Sequence, residues 1–262
     1  MTVARQFLRL QRFSLVVWAG VMVLTTIIVA ASVSAVTDNN AFQEFINSLP
    51  LALQRLVGAH ISNPVDAFIA LKLLLLVPVL CGISGVMSAA GIVARERDRG
   101  TADFLLSLPL DRRDVLRRRF AAVAAWLAIL YLVVWVTLVF AVEASGHSGS
   151  YGRYGLVLLA GFAVNLGQAG LVLALSQRLG DYRRTIHYAL GLMLISYGLE
   201  MALKSAGALP SLRYILLYRL ADPIELLLAG RVPWAALLVG AGLTSISLWW
   251  SQESFAHTEL QA

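Results

Sequence analysis

Six long apolar stretches constrain this chain more than any other feature of its sequence. Each is long enough to cross a hydrocarbon core of about 30 Å, which takes roughly 20 helical residues. Inside lipid every backbone N–H and C=O must be paired within its own segment, so the stretches are predicted to be helices. They cover residues 13–36, 67–93, 120–142, 154–176, 185–203 and 232–250.

Composition indicates that lipid, rather than water, is the main solvent of the chain. Apolar residues make up 59% of it and charged residues only 14%, and the mean hydropathy is +0.76. Soluble domains usually carry about a quarter charged residues. The alternating segments of about ten residues that are typical of membrane barrels are missing. The sequence therefore predicts an all-α polytopic membrane protein, with residues 1–262 forming a single transmembrane domain.

The distribution of basic residues predicts the orientation of the spans. Three lie in the N-terminal tail, eight between the second and third spans and three after the fourth span, together 14 of the 21 Lys and Arg. Because cytoplasmic loops carry the excess of Lys and Arg, the N-terminus is predicted to be cytoplasmic, and so is the C-terminus after six spans. The predicted location is the cell (inner) membrane. This bias also explains the net charge of +6, and no nucleic-acid partner is predicted.

Two of the segments between spans are predicted to lie on the outer face. Residues 37–66 have apolar side chains at roughly helical spacing, which fits two short interfacial helices or, equally well, an ordinary folded loop. Residues 204–231 contain apolar runs too short to span, so re-entrant or interfacial helices are expected. The pair Asp222-Pro223 predicts a break between those helices.

The segment 94–119, between the second and third spans, has a distinctive local pattern. Thr101 is a suitable N-cap, and Phe104, Leu105 and Leu108 then share one helical face until Pro109 stops the helix. The acids at 111 and 114 favour a new helix start, because they lie at its positive dipole end. The pattern predicts a short helix, a sharp turn and a second helix that enters the membrane.

Several kinds of catalytic and metal site do not fit the sequence. An ATP-binding P-loop needs a Gly-Lys-Ser/Thr run, but the only lysines, Lys72 and Lys204, each follow a leucine. The four histidines show no metal-ligand spacing with one another or with Cys81. We therefore predict no catalytic residues and no metal site on this chain.

One short motif supports an alternative. Gly82-Ile83-Ser84-Gly85 resembles the Gly-x-Ser-Gly of rhomboid-like intramembrane proteases, and His187 is the only candidate base within a span. Small residues in membrane helices more often form packing surfaces, and we favour that interpretation of Gly82 and Gly85. A serine protease with Ser84 and His187 remains the alternative hypothesis.

Polar residues inside the spans are candidates for a substrate pathway. A charge at the bilayer centre costs about 2.5–3.5 kcal/mol on the insertion scale, so such a residue is expected to face protein or a cavity. The candidates are Asn165, Gln168, Tyr197 and Glu200. Competing interpretations are that Glu200 snorkels to the interface or pairs with Lys204, and that the side-chain amides of Asn165 and Gln168 bridge helices.

Proline and glycine positions predict where the spans kink and where they pack closely. Pro78 is expected to kink the second span, because it removes a backbone donor. Gly161, Gly167 and Gly170 are expected to let the fourth span approach its neighbours closely.

The segment from Ala94 to Arg113 resembles permease subunits of the type 2 (exporter-like) ABC transporter family. That family carries a run like Glu-Arg-Gly-Thr, then Leu-Leu-Ser-Leu-Pro and an arginine, after its second span. Residues 45–50, 56–58 and 221–230 are similar to its outer loops, while Arg95 and Arg97 depart from its acidic run. The matching residues are Glu96, Arg99, Gly100, Thr101, Leu105, Leu106, Ser107, Leu108, Pro109 and Arg112.

The resemblance implies a permease subunit of an ATP-driven exporter that hydrolyses nothing itself. Residues 101–108 would be a coupling helix that docks on a separate ABC ATPase, and ATP and Mg would bind to that partner. A second permease, identical or paralogous, and membrane lipid are the other implied partners. The docking residues would be Glu96, Gly100, Thr101, Phe104, Leu105, Leu108, Pro109 and Arg112.

Overall fold

The computed structural model of the chain describes residues 3–33, 63–92, 112–206, 213 and 215–257. Within these ranges six helices are long and apolar enough to cross a membrane, and no strand occurs. They correspond one to one with the six predicted spans, so the all-α polytopic fold is confirmed. The candidate spans are Phe13–Ala31, Pro64–Ala90, Arg113–Ala144, Tyr151–Leu179, Tyr182–Ala206 and Trp234–Glu253.

The helices of the described ranges are labelled in chain order. The second span is divided among two α-helices and a π-helix, and a short 3₁₀ helix and a short α-helix lie between the fifth and sixth spans. The α-helices are α1 (Val3–Ala31), α2 (Pro64–Ile69), α3 (Leu76–Ala90), α4 (Arg112–Ala144), α5 (Tyr151–Leu179), α6 (Tyr182–Ala206), α7 (Pro223–Ala229) and α8 (Trp234–His257); the π-helix is Ala70–Leu74 and the 3₁₀ helix is Leu217–Ala221.

The second span is irregular just before its proline. The backbone N–H of Leu75 donates to the carbonyl of Ala70 at 3.1 Å, the i to i−5 bond of a π-turn. Pro78 has no N–H to offer to the turn before it, and local π geometry is one way in which a membrane helix accommodates that loss. A π-helical turn thus ends four residues before Pro78, while the kink expected at Pro78 stays a prediction.

Helix α5 is the centre of the bundle. It packs against α3, α4, α6 and α8, whereas α1 packs mainly against α4. In the most apolar window of each span, 67% of the residues of α5 are buried, compared with 17% for both α1 and α6. The exposed faces of α1 and α6 are rich in Val, Leu and Ile, which suits contact with lipid tails.

Helices α5 and α8 approach each other through small residues. A Cβ atom added to Gly240 would overlap the backbone carbonyl of Ala163, and one added to Gly167 would lie 3.3 Å from Gly240 Cα. A Cβ on Gly170 would lie 3.3 Å from Thr244 Cα. Small residues permit this backbone-to-backbone contact in membranes, so the prediction of close packing for the fourth span is confirmed.

The connection between α6 and α8 has the break that the sequence predicted. Asp222 is the N-cap of α7, accepting hydrogen bonds from the N–H groups of Ile224 and Glu225, and Pro223 occupies the first helical turn. Gly230 ends the helix in the left-handed region, with φ of +57°. Short helices were expected within residues 37–66, and positions 37–62 of that range lie outside the described residues.

The bundle has two polar ends, named here after one residue each. The Asp222 end contains Asn63, Asp66, the turn from α4 to α5, and the segment from α6 to α8. The Arg119 end contains Ile92, the start of α4, the turn from α5 to α6, and the end of α8. Because successive spans are antiparallel, each end gathers residues that are far apart in sequence.

Candidate functional site

The predicted docking residues lie between positions 96 and 112, a range named here the docking segment. This segment lies almost entirely outside the described residues. Arg112 is the first residue of α4, and only its backbone is described. The docking role of the whole set therefore stays a prediction. The residues outside the described ranges are Glu96, Gly100, Thr101, Phe104, Leu105, Leu108 and Pro109.

Arg119 connects the two helices that flank this segment. Its side chain is buried, and its Nη1 donates to the backbone carbonyl of Ile92 at 2.9 Å. Ile92 lies just beyond α3, and Arg119 lies in the third turn of α4, 27 residues later. The two attachment points of the docking segment are therefore held side by side. The sequence predicted only a basic run at headgroup level, and it gave no indication that one arginine of that run is buried.

Other charged contacts at the Arg119 end are exposed. Arg113 pairs with Glu253 of α8 at 3.3 Å, and both side chains are more than 40% exposed. Arg184 pairs with Asp181 at 3.8 Å, also at the surface. The guanidinium of Arg178 lies 4.4 Å from the ring centroid of Trp250, a cation–π contact between α5 and α8.

Asn165 joins three helices in the middle of the bundle. Its Nδ2 donates to the carbonyl of Pro78 at 2.9 Å and to the hydroxyl of Tyr131 at 2.8 Å, and its side chain is buried. A Cβ on Gly161 would meet the same tyrosine hydroxyl at 2.9 Å, so that glycine makes room for the network. Asn165 thus bridges α3, α4 and α5, as one interpretation of the sequence expected.

A second network runs from α5 to the π-turn. The hydroxyl of Tyr218 donates to Gln168 Oε1 at 3.0 Å, and its ring packs edge-on against Tyr197 with centroids 5.4 Å apart. The hydroxyl of Tyr197 donates to the carbonyl of Leu75 at 3.1 Å. Burial raises the pKa of Tyr218 above its usual value, so the hydroxyl keeps its proton. Two predicted pathway residues, Gln168 and Tyr197, are therefore linked through a tyrosine that the sequence did not single out.

Glu200 is buried, and its partner differs from the one expected. Its Oε1 accepts bonds from Arg213 Nε at 3.0 Å and Nη2 at 2.5 Å, and Lys204 is bound elsewhere. Neither the pairing with Lys204 nor the snorkelling is found, because the chain folds back and places Arg213 over the end of α6. Burial disfavours the charged guanidinium, but the hydrogen bond and charge of Glu200, with the charges of Glu225 and Asp222, raise the pKa of Arg213.

Lys204 pairs with Asp222 in the same region. Its Nζ lies 2.8 Å from Oδ1 and 2.5 Å from Oδ2, and both side chains are buried. Asp222 therefore caps α7 and neutralises a lysine of α6 at once. The pair Asp222-Pro223 predicted the helix start from the sequence, but nothing in the sequence predicted that Asp222 also pairs with Lys204.

A third buried acid at the Asp222 end, Asp66, was not singled out in the sequence. Asp66, in the first turn of α2, accepts bonds from the Ser150 backbone N–H at 3.0 Å, the Ser150 hydroxyl at 2.7 Å and the Tyr154 hydroxyl. Arg153, in the first turn of α5, donates to the carbonyl of Leu227, near the end of α7, at 3.1 Å. These bonds tie the start of α5 to α2 and to α7.

The chain is similar to the sequences of a known family over most of its length. A sequence model described as ABC-2 family transporter protein matches residues 4–231, which contain the first five spans, the docking segment and α7. The chain belongs to the ABC-2 transporter family. A comparison with curated proteins finds no match. The sixth span of this permease lies beyond the matched range, but α8 packs closely on α5 and completes the bundle.

The protease alternative gains no support from the permease structure. The hydroxyl of Ser84 is buried and accepts a hydrogen bond from Trp126 Nε1 at 2.8 Å. His187 lies on the exposed face of α6. Ser84 and His187 are both described, and their side chains form no hydrogen bond with each other. Gly82 and Gly85 face Met193 and Leu127 closely, which is the packing role that the sequence favoured.

Permeases of this family are transport components and normally work with an ATPase subunit. The described residues of this permease divide accordingly into a membrane bundle and two ends. The Arg119 end carries the attachment points of the segment that resembles a coupling helix. The Asp222 end carries the buried ion pairs.

Proposed function

We propose that this permease is the transmembrane subunit of an ATP-driven exporter and that residues 101–108 dock it onto a separate ATPase subunit. The observation that carries the proposal is the Gly-Thr to Pro-x-x-Arg segment, residues 100–112, placed between the second and third spans of a chain in this family. The apolar side chains Phe104, Leu105 and Leu108 would be the buried anchors of the interface, surrounded by charged residues that set its orientation.

The orientation belongs to the same proposal. The Arg119 end, with its arginines, would face the cytoplasm, where both the ATPase and ATP are found. Two permeases, identical or paralogous, would line the pathway between them. ATP and Mg would bind only to the partner, and nucleotide-dependent binding of that partner would shift the bundle between its states.

The proposed pathway residues remain Asn165, Gln168, Tyr197 and Glu200. Each has polar atoms held by bonds within the bundle in the present conformation. Contact with a substrate would therefore require these networks to open, as an alternating-access cycle provides.

The docking test replaces Phe104 and Leu105 with Asp in the permease co-expressed with its ATPase. Burying two carboxylates against an apolar groove is unfavourable, so we expect the amount of co-purified ATPase to fall by about tenfold or more. The measurement is the ATPase-to-permease ratio after affinity purification through the permease. A ratio equal to wild type would overturn the docking assignment.

The matched control is Leu106→Asp, in the same predicted helix. Helical spacing places position 106 on the face opposite Phe104 and Leu108, so the substitution adds a charge without removing an anchor. We expect this variant to retain its ATPase. If Leu106→Asp and the double variant lose the partner equally, the effect comes from added charge rather than from lost anchors.

A further inference from the structure

The second span has one accessible face, and a lysine lies on it. Most side chains of α3 are buried, and those that are not follow helical spacing. They are Leu76, Val79, Leu80, Ile83 and Met87. Lys72, four residues before Leu76 and within the π-helix, is exposed as well. The span therefore presents a charged group at one end of a narrow apolar face, and these six residues are named here the Lys72 stripe.

Lys72 differs from three other charged residues of the spans. Asp66, Glu200 and Lys204 are buried, and each is bound within the bundle. Lys72 is exposed instead, and it forms no hydrogen bond or ion pair with any described residue. The three N–H donors of its ammonium group are therefore all available to a partner that the described residues do not supply.

The position of Lys72 along the span restricts what it can face. It lies eight residues beyond Pro64, the first residue of the span, or about 12 Å along the helix. Lipid tails do not solvate an ammonium group, so a charged side chain inside a span is expected to face protein or a water-filled cavity. The alternative is that the side chain extends to the headgroup layer at the Asp222 end.

The backbone around Lys72 is a second, independent observation. Lys72 is the middle residue of the π-helix Ala70–Leu74, and π-turns inside α-helices are frequent at functional sites. The carbonyl of Leu75, which follows this turn, accepts the hydrogen bond from the Tyr197 hydroxyl at 3.1 Å. Tyr197 is a candidate pathway residue, so the turn that carries Lys72 is joined to the predicted pathway.

The neighbours of the second span also place its accessible face. The π-helix contacts α1, and α3 contacts α6. The spans formed by α1 and α6 are the least buried of the six candidate spans. In the proposed pair of permeases, a charged face that requires hydration and borders these helices fits the wall of the shared pathway.

We propose that Lys72 binds the anionic group of an amphiphilic substrate, a carboxylate or a phosphate, while the apolar part of the substrate lies along the Lys72 stripe. A lysine binds such groups through charge-assisted hydrogen bonds from its compact ammonium. The four pathway candidates predicted from the sequence are held by bonds within the bundle, whereas Lys72 can bind without rearrangement. The inference rests on the proposed transport function, because it takes the stripe to face the pathway.

The first test measures binding to the purified permease in nanodiscs of phosphatidylcholine. The probes are dodecyl phosphate and dodecanol, which share a tail and differ in charge, and calorimetry is corrected for partitioning into empty nanodiscs. We expect saturable binding of dodecyl phosphate, at least about tenfold tighter than any binding of dodecanol. Equal affinity for the two probes would mean that Lys72 contacts only the headgroup layer, and would overturn the proposal.

Matched variants locate the anion on the permease. Lys72→Gln and Arg231→Gln each remove one positive charge, and Arg231 is also exposed at the Asp222 end but lies between α7 and α8, outside the spans. We expect Lys72→Gln to weaken binding of dodecyl phosphate by about tenfold or more, and Arg231→Gln and Lys72→Arg to stay within about threefold of wild type. Equal losses in the two glutamine variants would show diffuse charge attraction and overturn the assignment. If Lys72→Gln does not fold, Lys72→Met takes its place.

A second test distinguishes a substrate from a resident lipid. The permease is reconstituted with its co-expressed ATPase, and dodecyl phosphate is expected to stimulate ATP hydrolysis in wild type, with loss of the stimulation in Lys72→Gln. Binding that depends on Lys72 without any stimulation would identify a resident lipid and overturn the substrate role. If no ATPase co-purifies with the wild-type permease, that result contradicts the proposed function instead, and the binding measurements still decide the anion site.

Discussion

The two ends of the bundle hold their charges in opposite ways. At the Asp222 end, the side chains of Lys204 and Asp222 are 7% and 1% exposed. At the Arg119 end, those of Arg113 and Glu253 are 48% and 43% exposed. Exposed pairs contribute about 0–1 kcal/mol, whereas removing one member of a buried pair costs about 3–5 kcal/mol. The Asp222 end is therefore fixed by its charges, and the Arg119 end is largely free of that constraint.

The difference is compatible with the proposed docking of an ATPase at the Arg119 end. A surface that docks a partner needs charges that can rearrange, and exposed pairs allow this at little cost. At the opposite end, buried pairs fix a definite geometry when their partners are all in place. The exception at the Arg119 end is Arg119 itself, which is buried and bound to Ile92.

The largest effect is expected for Asp222→Asn. Asparagine can still cap α7, but Lys204 is left buried without its counter-charge, so we expect a loss of about 3–5 kcal/mol in the free energy of unfolding. Unfolding by denaturant in detergent micelles measures it. The double variant Lys204→Met with Asp222→Asn is expected to regain most of the loss.

Asp181→Asn is the control for this comparison. Asp181 also accepts a backbone hydrogen bond, from the Arg184 N–H, and pairs with a basic side chain, but it is exposed. A change of about 1 kcal/mol or less is expected. Similar losses for Asp222→Asn and Asp181→Asn would mean that burial does not distinguish the two ends.

An intermediate effect is expected for Arg119→Met. The methionine keeps an apolar stem but loses the bond to the carbonyl of Ile92, which costs about 1–3 kcal/mol for a buried acceptor left unpaired. Because that bond holds together the attachment points of the docking segment, ATPase activity supported by the permease is expected to fall as well. Arg118→Met is the control, since Arg118 is exposed and pairs only with Asp114 at 3.8 Å among the described residues. Full ATPase activity in Arg119→Met would contradict the positioning role.

The spans could be predicted because the membrane imposes one rule on every residue of each segment. Apolar length alone located all six, and the helix start at Asp222-Pro223 followed from local capping chemistry. The packing glycines of α5 could likewise be predicted, since small residues serve close helix contact in lipid.

The ion pairs could not be predicted, because their partners meet only in the folded chain. Glu200 and Lys204 are four residues apart on α6, a spacing that favours pairing with each other. Each instead binds a residue from the segment beyond the helix, Arg213 and Asp222 respectively. Asp66 and Tyr154 are 88 residues apart, with no local pattern to connect them. Helical spacing predicts which residues can meet, but the fold of the following segment decides which do.

The smallest effect is expected for Arg113→Gln, which removes the ion pair with Glu253 between the start of α4 and the end of α8. Because both side chains are exposed, we expect a loss of about 1 kcal/mol or less, and a smaller one when salt rises from about 0.05 to 0.5 M. The Lys204–Asp222 pair is shielded from solvent, so the loss in Asp222→Asn should change little over the same range. Unfolding of wild type and both variants at the two salt concentrations measures the contrast. A large, salt-independent loss in Arg113→Gln would show that the Arg119 end is fixed by its charges too, and the proposed freedom of that end would be wrong.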